Sequence, residues 1–169
     1  MLEHGGNYMK ILVFAFGILF LSLSSLRALA AGPNDTVWQV TQKNCAGQAI
    51  APSGNERLEF KKASLAHYFL ATATETQYCV QIQSYVRNVK SQSEVSGVYT
   101  EASILIGTTL RQICYNKSDG SPVSDETKSA HGPMMSTSFT LTGEFGHVEM
   151  IGDKSCMSGA LRYDLHVSH

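Results

Sequence analysis

A chain of 169 residues with 13 basic and 14 acidic side chains carries a net charge of −1, which gives no electrostatic reason to bind nucleic acid or an anionic membrane. Its length and its 43% of hydrophobic residues suit one domain able to bury a core, and its four cysteines raise the expectation of two disulfides.

At the amino end, Lys10 precedes an apolar run over residues 11 to 21, extended by Leu23 and Leu26 and followed by Arg27, Ala28, Ala30 and Ala31. A cation, a short apolar core and small residues in A-x-A spacing are the order of a secretory signal peptide, so residues 1–30 are predicted to be removed after Ala28-Leu29-Ala30. A spanning helix would need roughly 20 apolar residues, and Ser22, Ser24, Ser25 and Arg27 interrupt this run. Residues 31–169 are therefore expected to form a single exported domain, periplasmic or secreted, with no stable membrane anchor. Loss of Glu3, Lys10 and Arg27 leaves that domain slightly acidic.

From Thr36 onward, short runs of Val, Ile, Thr, Tyr and Phe are punctuated by Gly, Asn, Ser and Asp. Branched and aromatic side chains fit a pleated surface and the punctuating residues turn the chain, so the pattern predicts strands. They fall near 36 to 43, 56 to 62, 66 to 73, 78 to 89, 95 to 106, 109 to 115, 136 to 142, 146 to 151 and 160 to 167. Residues 56 to 73 could also place Leu58, Leu65, Phe69 and Thr72 on one face of a helix. In the fourth strand Val80, Ile82 and Val86 share one face, expected to be the dry one, and Gln81, Gln83 and Arg87 share the other. In the last strand Leu161, Tyr163, Leu165 and Val167 alternate with Arg162, Asp164, His166 and Ser168. Short connections favour a meander, and closing it removes exposed edges. The fold class expected is thus all-β: an antiparallel up-and-down barrel of about eight to nine strands with two disulfides, the alternative being a β-sandwich. Residues 116 to 135, with Asp119-Gly120, Ser121-Pro122 and Gly132-Pro133, are expected to form a long loop.

An even number of cysteines in an exported chain predicts disulfides, whereas a zinc site would want a closely spaced pair, which Cys45, Cys79, Cys114 and Cys156 do not supply. Strand parity sets the expected pairing. Counting alternate strands puts Cys45 and Cys79 at one end of the barrel and Cys114 and Cys156 at the other, about 20 Å away, while bridged Cα atoms lie within about 7 Å. Cys45–Cys79 and Cys114–Cys156 are the pairs expected.

No metal, cofactor or catalytic residue is indicated. His67, His147 and His166 stand singly in predicted strands and read as solvent-facing; no H-x-H, H-E-x-x-H or G-x-S-x-G pattern occurs. Asp125-Glu126 reads as loop solvation and Glu144 as a turn residue. Asn34-Asp35-Thr36 and Asn116-Lys117-Ser118 fit the glycosylation pattern, relevant to a eukaryotic exporter. The candidate cavity lining is Trp38, Val40, Val80, Ile82, Phe139, Leu141, Tyr163 and Leu165.

Trp38 on the first strand, a short meander, Phe139-Thr140-Leu141-Thr142-Gly143 leading to His147-Val148-Glu149-Met150, then Cys156-Met157-Ser158-Gly159 and a final alternating strand together resemble the small bacterial lipocalin-like (calycin-type) barrels. The lipocalin G-x-W lacks its glycine here, since Asp35-Thr36-Val37 precedes Trp38. The resemblance implies a non-enzymatic binding protein for a small apolar ligand or an extracytoplasmic protein. The same barrel also serves small periplasmic inhibitors of proteases and lysozyme, for which residues 116 to 135 would be the contact element.

Overall fold

A computed structural model of the chain describes residues 32–129, 132, 134–157 and 159–168. The predicted signal peptide and its cleavage site lie outside the described residues.

Ten strands follow in order: β1 Thr36–Cys45, β2 Gln48–Ile50, β3 Arg57–Phe60, β4 Ser64–Ala73, β5 Gln77–Val95, β6 Val98–Asn116, β7 Pro122–Ser129, β8 Met134–Thr142, β9 Phe145–Ile151 and β10 Ala160–Ser168. All the pairings are antiparallel. Eight strands close a ring in the order β10-β9-β8-β6-β5-β4-β3-β1, sealed by β1 on β10, while β2 folds back on β1 and β7 on β6. The barrel expectation is met. Residues 56 to 73 form the two strands β3 and β4, and the described residues contain no α-helix.

The register of β5 and β6 departs from the sequence reading. The strands predicted at 95 to 106 and 109 to 115 merge into one 19-residue strand, Val98–Asn116, joined to β5 by a two-residue turn at Ser96 (φ 53°) and Gly97 (φ 77°). Positive φ at both turn residues is the hairpin geometry that matches strand twist. Thr108 is an extra residue, since Ser84 pairs Thr109 while Tyr85 pairs Gly107. Such a bulge bends a strand. Here it divides β6 into a barrel half paired with β8 and an outer half paired with β7. The expected long loop is accordingly corrected: residues 122 to 129 are a strand, and only the turn at 117 to 121 is loop at that end. At the bend the chain crosses itself closely, and a Cβ added to Gly107 would stand 3.0 Å from Gly132 Cα.

The disulfide expectation is also corrected. Cys79 faces Cys114 in register across β5 and β6 and is bonded to it, with Cα atoms 4.0 Å apart; no strand lies between them because the two predicted strands are one. Cys45 is bonded to Cys156, Cα atoms 5.5 Å apart, because ring closure sets the end of β1 beside the start of β10. Two disulfides fit an oxidising, extracytoplasmic compartment. Among the described residues no helix is long and apolar enough to cross a membrane.

The core is the barrel interior. Alternating residues of every ring strand enter it: Trp38, Leu58, Phe60, Leu65, Leu105, Phe139, Leu141, Val148, Met150, Leu161 and Leu165 are all at most 2% exposed, and β5 contributes Tyr85 at 8%. Phe60 and Phe139 meet edge to face at 5.1 Å. Toward the end that holds the Ser96-Gly97 turn, Arg87 is paired with Glu101 of the neighbouring strand at 3.3 Å, and Tyr99 donates to the same carboxylate oxygen. Arg87 also donates to Asn34 Oδ1 at 2.6 Å and to Lys62 O at 3.2 Å, which engages the first glycosylation-pattern asparagine with a buried guanidinium.

Gly146 is enclosed by Leu141, Leu165 and Trp38. A Cβ there would meet Leu141 Cδ2 at 2.7 Å, Leu165 Cβ at 3.3 Å and Trp38 Cζ3 at 3.3 Å. Gly146→Ala is expected to cost about 1–3 kcal/mol by overpacking, read as a lower denaturation midpoint with altered fluorescence of the single tryptophan.

Candidate functional site

Of the eight residues expected to line a cavity, Trp38, Val40, Phe139, Leu141, Tyr163 and Leu165 point into the barrel and are nearly or fully buried. Val80 and Ile82 point out of it. The dry face assigned to β5 is reversed, because Tyr85 and Arg87 are buried, at 8% and 5% exposure, while Val86 is 45% exposed. Pairing explains this: Tyr85 stands opposite buried Leu65, and Gln83 opposite His67. The lower barrel is filled by its own side chains.

Above this packed interior a concavity of about 300 Å³ opens at the end where β1, β4 and the outer half of β6 finish. Tyr163, Tyr85 and Met135 form its base, and Lys43, His67, Phe69, Gln83, Asp153, Lys154 and Ser155 its sides. Burial pushes the Tyr85 and Tyr163 phenols well above the ordinary tyrosine range; nearby Asp153 adds to this at Tyr85, and the Glu56 charge at Tyr163. Both phenols stay neutral donors.

One wall rests on a buried carboxylate. Glu56 is fully buried, and its Oε1 lies 2.8 Å from His67 Nε2 and 3.2 Å from Lys43 Nζ. A carboxylate only accepts, so Nε2 carries the hydrogen. Oε2 accepts from Ser53 N at 2.8 Å and Ser53 Oγ at 3.3 Å. Burial by itself would raise the Glu56 pKa, but the hydrogen bond and charge of His67, then the Ser53 amide and the Lys43 ammonium, outweigh it and hold the carboxyl at about 2. The network also ties elements together, for Ser53 Oγ accepts from Leu70 N on β4 at 3.0 Å and Glu56 O accepts from Val40 N on β1 at 2.8 Å.

His67 is thereby corrected from solvent-facing to buried, at 8% exposure, against Phe69 and edge-on to Tyr163 at 5.6 Å. His147 is exposed, as expected, and His166 is half-buried, edge-on to Phe145. A signal for the buried pair existed: His67 alternates with Leu65 and Phe69, and Glu56 with Leu58 and Phe60, so a period of two turns both inward. Lys43 had no such signal. It faces in only because the β1–β10 register shifts between Val40 and Gln42, placing Lys43 opposite Tyr163 with Nζ 5.7 Å from the ring centre.

No protein family, curated protein or solved structure matches the chain.

Proposed function

We propose that the protein is a non-enzymatic, exported binding protein, periplasmic or secreted, whose barrel mouth takes a small ligand with an apolar body. The observation that carries this reading is the division of the barrel into a packed base and a mouth concavity of about 300 Å³, the low end of the range for small-molecule sites. Its lining is also of the expected kind, with Tyr163, Tyr85, Phe69 and Met135 offering apolar area and Gln83, Lys43 and Lys154 offering a few polar contacts. The His67 Nε2 hydrogen is committed to Glu56, which suits a positioning role for the ring better than proton transfer. The resemblance to lipocalin-like barrels points the same way, though a fold by itself does not set a function.

Native mass spectrometry of the protein purified without denaturation tests the proposal. A small-molecule adduct is expected on the parent and lost from Lys154→Trp, which fills the exposed rim. An adduct-free parent that instead forms a one-to-one complex with lysozyme or a secreted protease would replace this reading by the inhibitor one. For that alternative the contact element is the open edge of β7, all of whose residues are exposed.

A further inference from the structure

A second concavity, of about 610 Å³, lies on the outward face of the sheet formed by the ends of β4, β5 and β6, under the turn that leads into β3. It is built by the reversed register. Tyr68 and Leu70 of β4 stand opposite Ile82 and Val80 of β5, Val80 stands opposite Ile113 of β6, and Tyr78 opposite Tyr115. The last pair stacks at 5.2 Å with rings 22° apart. An apolar face turned to water on a barrel whose interior is already filled is the kind of surface that marks a binding site.

The charges around it decide what it would hold. Arg57 and Lys117 line the concavity, and among the described residues no acid does. The Arg57 guanidinium carbon lies over Tyr68, 4.0 Å from the ring centre, and Lys117 Nζ donates to the Thr74 carbonyl. Among the described residues neither has a carboxylate within 4.0 Å. Glu59 accepts from the Tyr68 hydroxyl at 2.9 Å and is matched with Lys61 at 3.1 Å, which together with the more distant Arg57 charge hold its carboxyl down, and Asp125 is matched with Arg111 through two hydrogen bonds. We infer that this outer concavity is a binding site for a small amphipathic organic anion, its flat apolar body on Tyr68, Tyr78, Tyr115, Val80, Ile82 and Ile113 and its anionic group between Arg57 and Lys117. The site shares only Phe69 with the lining of the barrel mouth and does not depend on the function proposed there.

Titration of the full exported protein with 8-anilinonaphthalene-1-sulfonate, and with the neutral N-phenyl-1-naphthylamine as its uncharged counterpart, tests the inference by fluorescence. The sulfonate is expected to bind at least about tenfold more tightly than the neutral amine, and added sodium chloride to weaken it. The double variant Arg57→Gln/Lys117→Gln should remove that tenfold preference and leave the neutral amine within about twofold of its parent value. Ile113→Glu, which sets a like charge in the floor, should abolish sulfonate binding, while Lys154→Trp at the barrel mouth should leave it unchanged. Equal binding of the two dyes, insensitivity of the sulfonate to both the double variant and Ile113→Glu, or its loss in Lys154→Trp would each overturn the assignment.

Discussion

Replacing Glu56 by alanine is expected to lower the free energy of unfolding by about 3–5 kcal/mol at pH 7, the cost of stranding the partners of a buried ionised group. His67 and Lys43 would lose their common acceptor, and the Ser53 amide its cap, so the connection between β2 and β3 would lose its anchor on the carboxylate. The effect is pH-dependent with a fixed sign. The folded-state pKa of about 2 lies below the ordinary 4.5, so the ionised carboxylate contributes stability in full above 4.5 and loses it as the pH falls through 2. That contribution is of order 3 kcal/mol. Urea denaturation of the parent and of Glu56→Gln at pH 7, 4 and 2.5 measures it: the gap between the two should be widest at pH 7 and close toward pH 2. A gap that does not change with pH would mean that shape, not charge, holds this corner.

Much of the ring was legible because each core strand keeps a period of two around large apolar residues. Leu161, Tyr163 and Leu165 are buried as their alternation requires, as are Phe139 and Leu141, and the chain between them turns where Gly143 allows positive φ. What was not legible turns on single-residue events. Alternation in β5 shows that the strand has two unlike faces without showing which one meets the core. The answer came from long-range pairing with Leu65 and His67, and it set Val80 and Ile82 outside. Bulges are worse for sequence reading, because one extra residue reverses every later side chain. Thr108 does this in β6, and the shift near Thr41 does it in β1. The Glu56–His67 pair lay in between: its inward direction could be counted from the neighbouring apolar residues, but a carboxylate and an imidazole in a core become sensible only once their mutual distance is known. The same holds for Arg87 and Glu101, 14 residues apart in sequence and buried as a pair.

Peptide mapping without reduction should yield a Cys45–Cys156 peptide and a Cys79–Cys114 peptide, and the two bridges should differ in what their loss costs. A disulfide acts chiefly by limiting the unfolded chain, more so for longer loops. Cys45–Cys156 spans 111 residues and Cys79–Cys114 spans 35, so the chain-entropy estimates are about 5 and about 4 kcal/mol. Position widens the difference. Cys79 and Cys114 sit within a hairpin whose two 19-residue strands pair along most of their length, so that bridge reinforces a register already specified. Cys45–Cys156 crosses the seam where the first strand meets the last, and such long-range closure carries a large entropy cost in the absence of a covalent tie. The paired variant Cys45→Ala/Cys156→Ala is therefore expected to lose more stability than Cys79→Ala/Cys114→Ala and to begin unfolding at the β1–β10 seam. Amide hydrogen exchange would show this as early loss of protection at Gln39 and His166, which face each other across the seam, while β5 and β6 remain protected. Equal loss of protection around the whole ring would mean that the barrel opens as one unit and that the seam is no weaker than the hairpin.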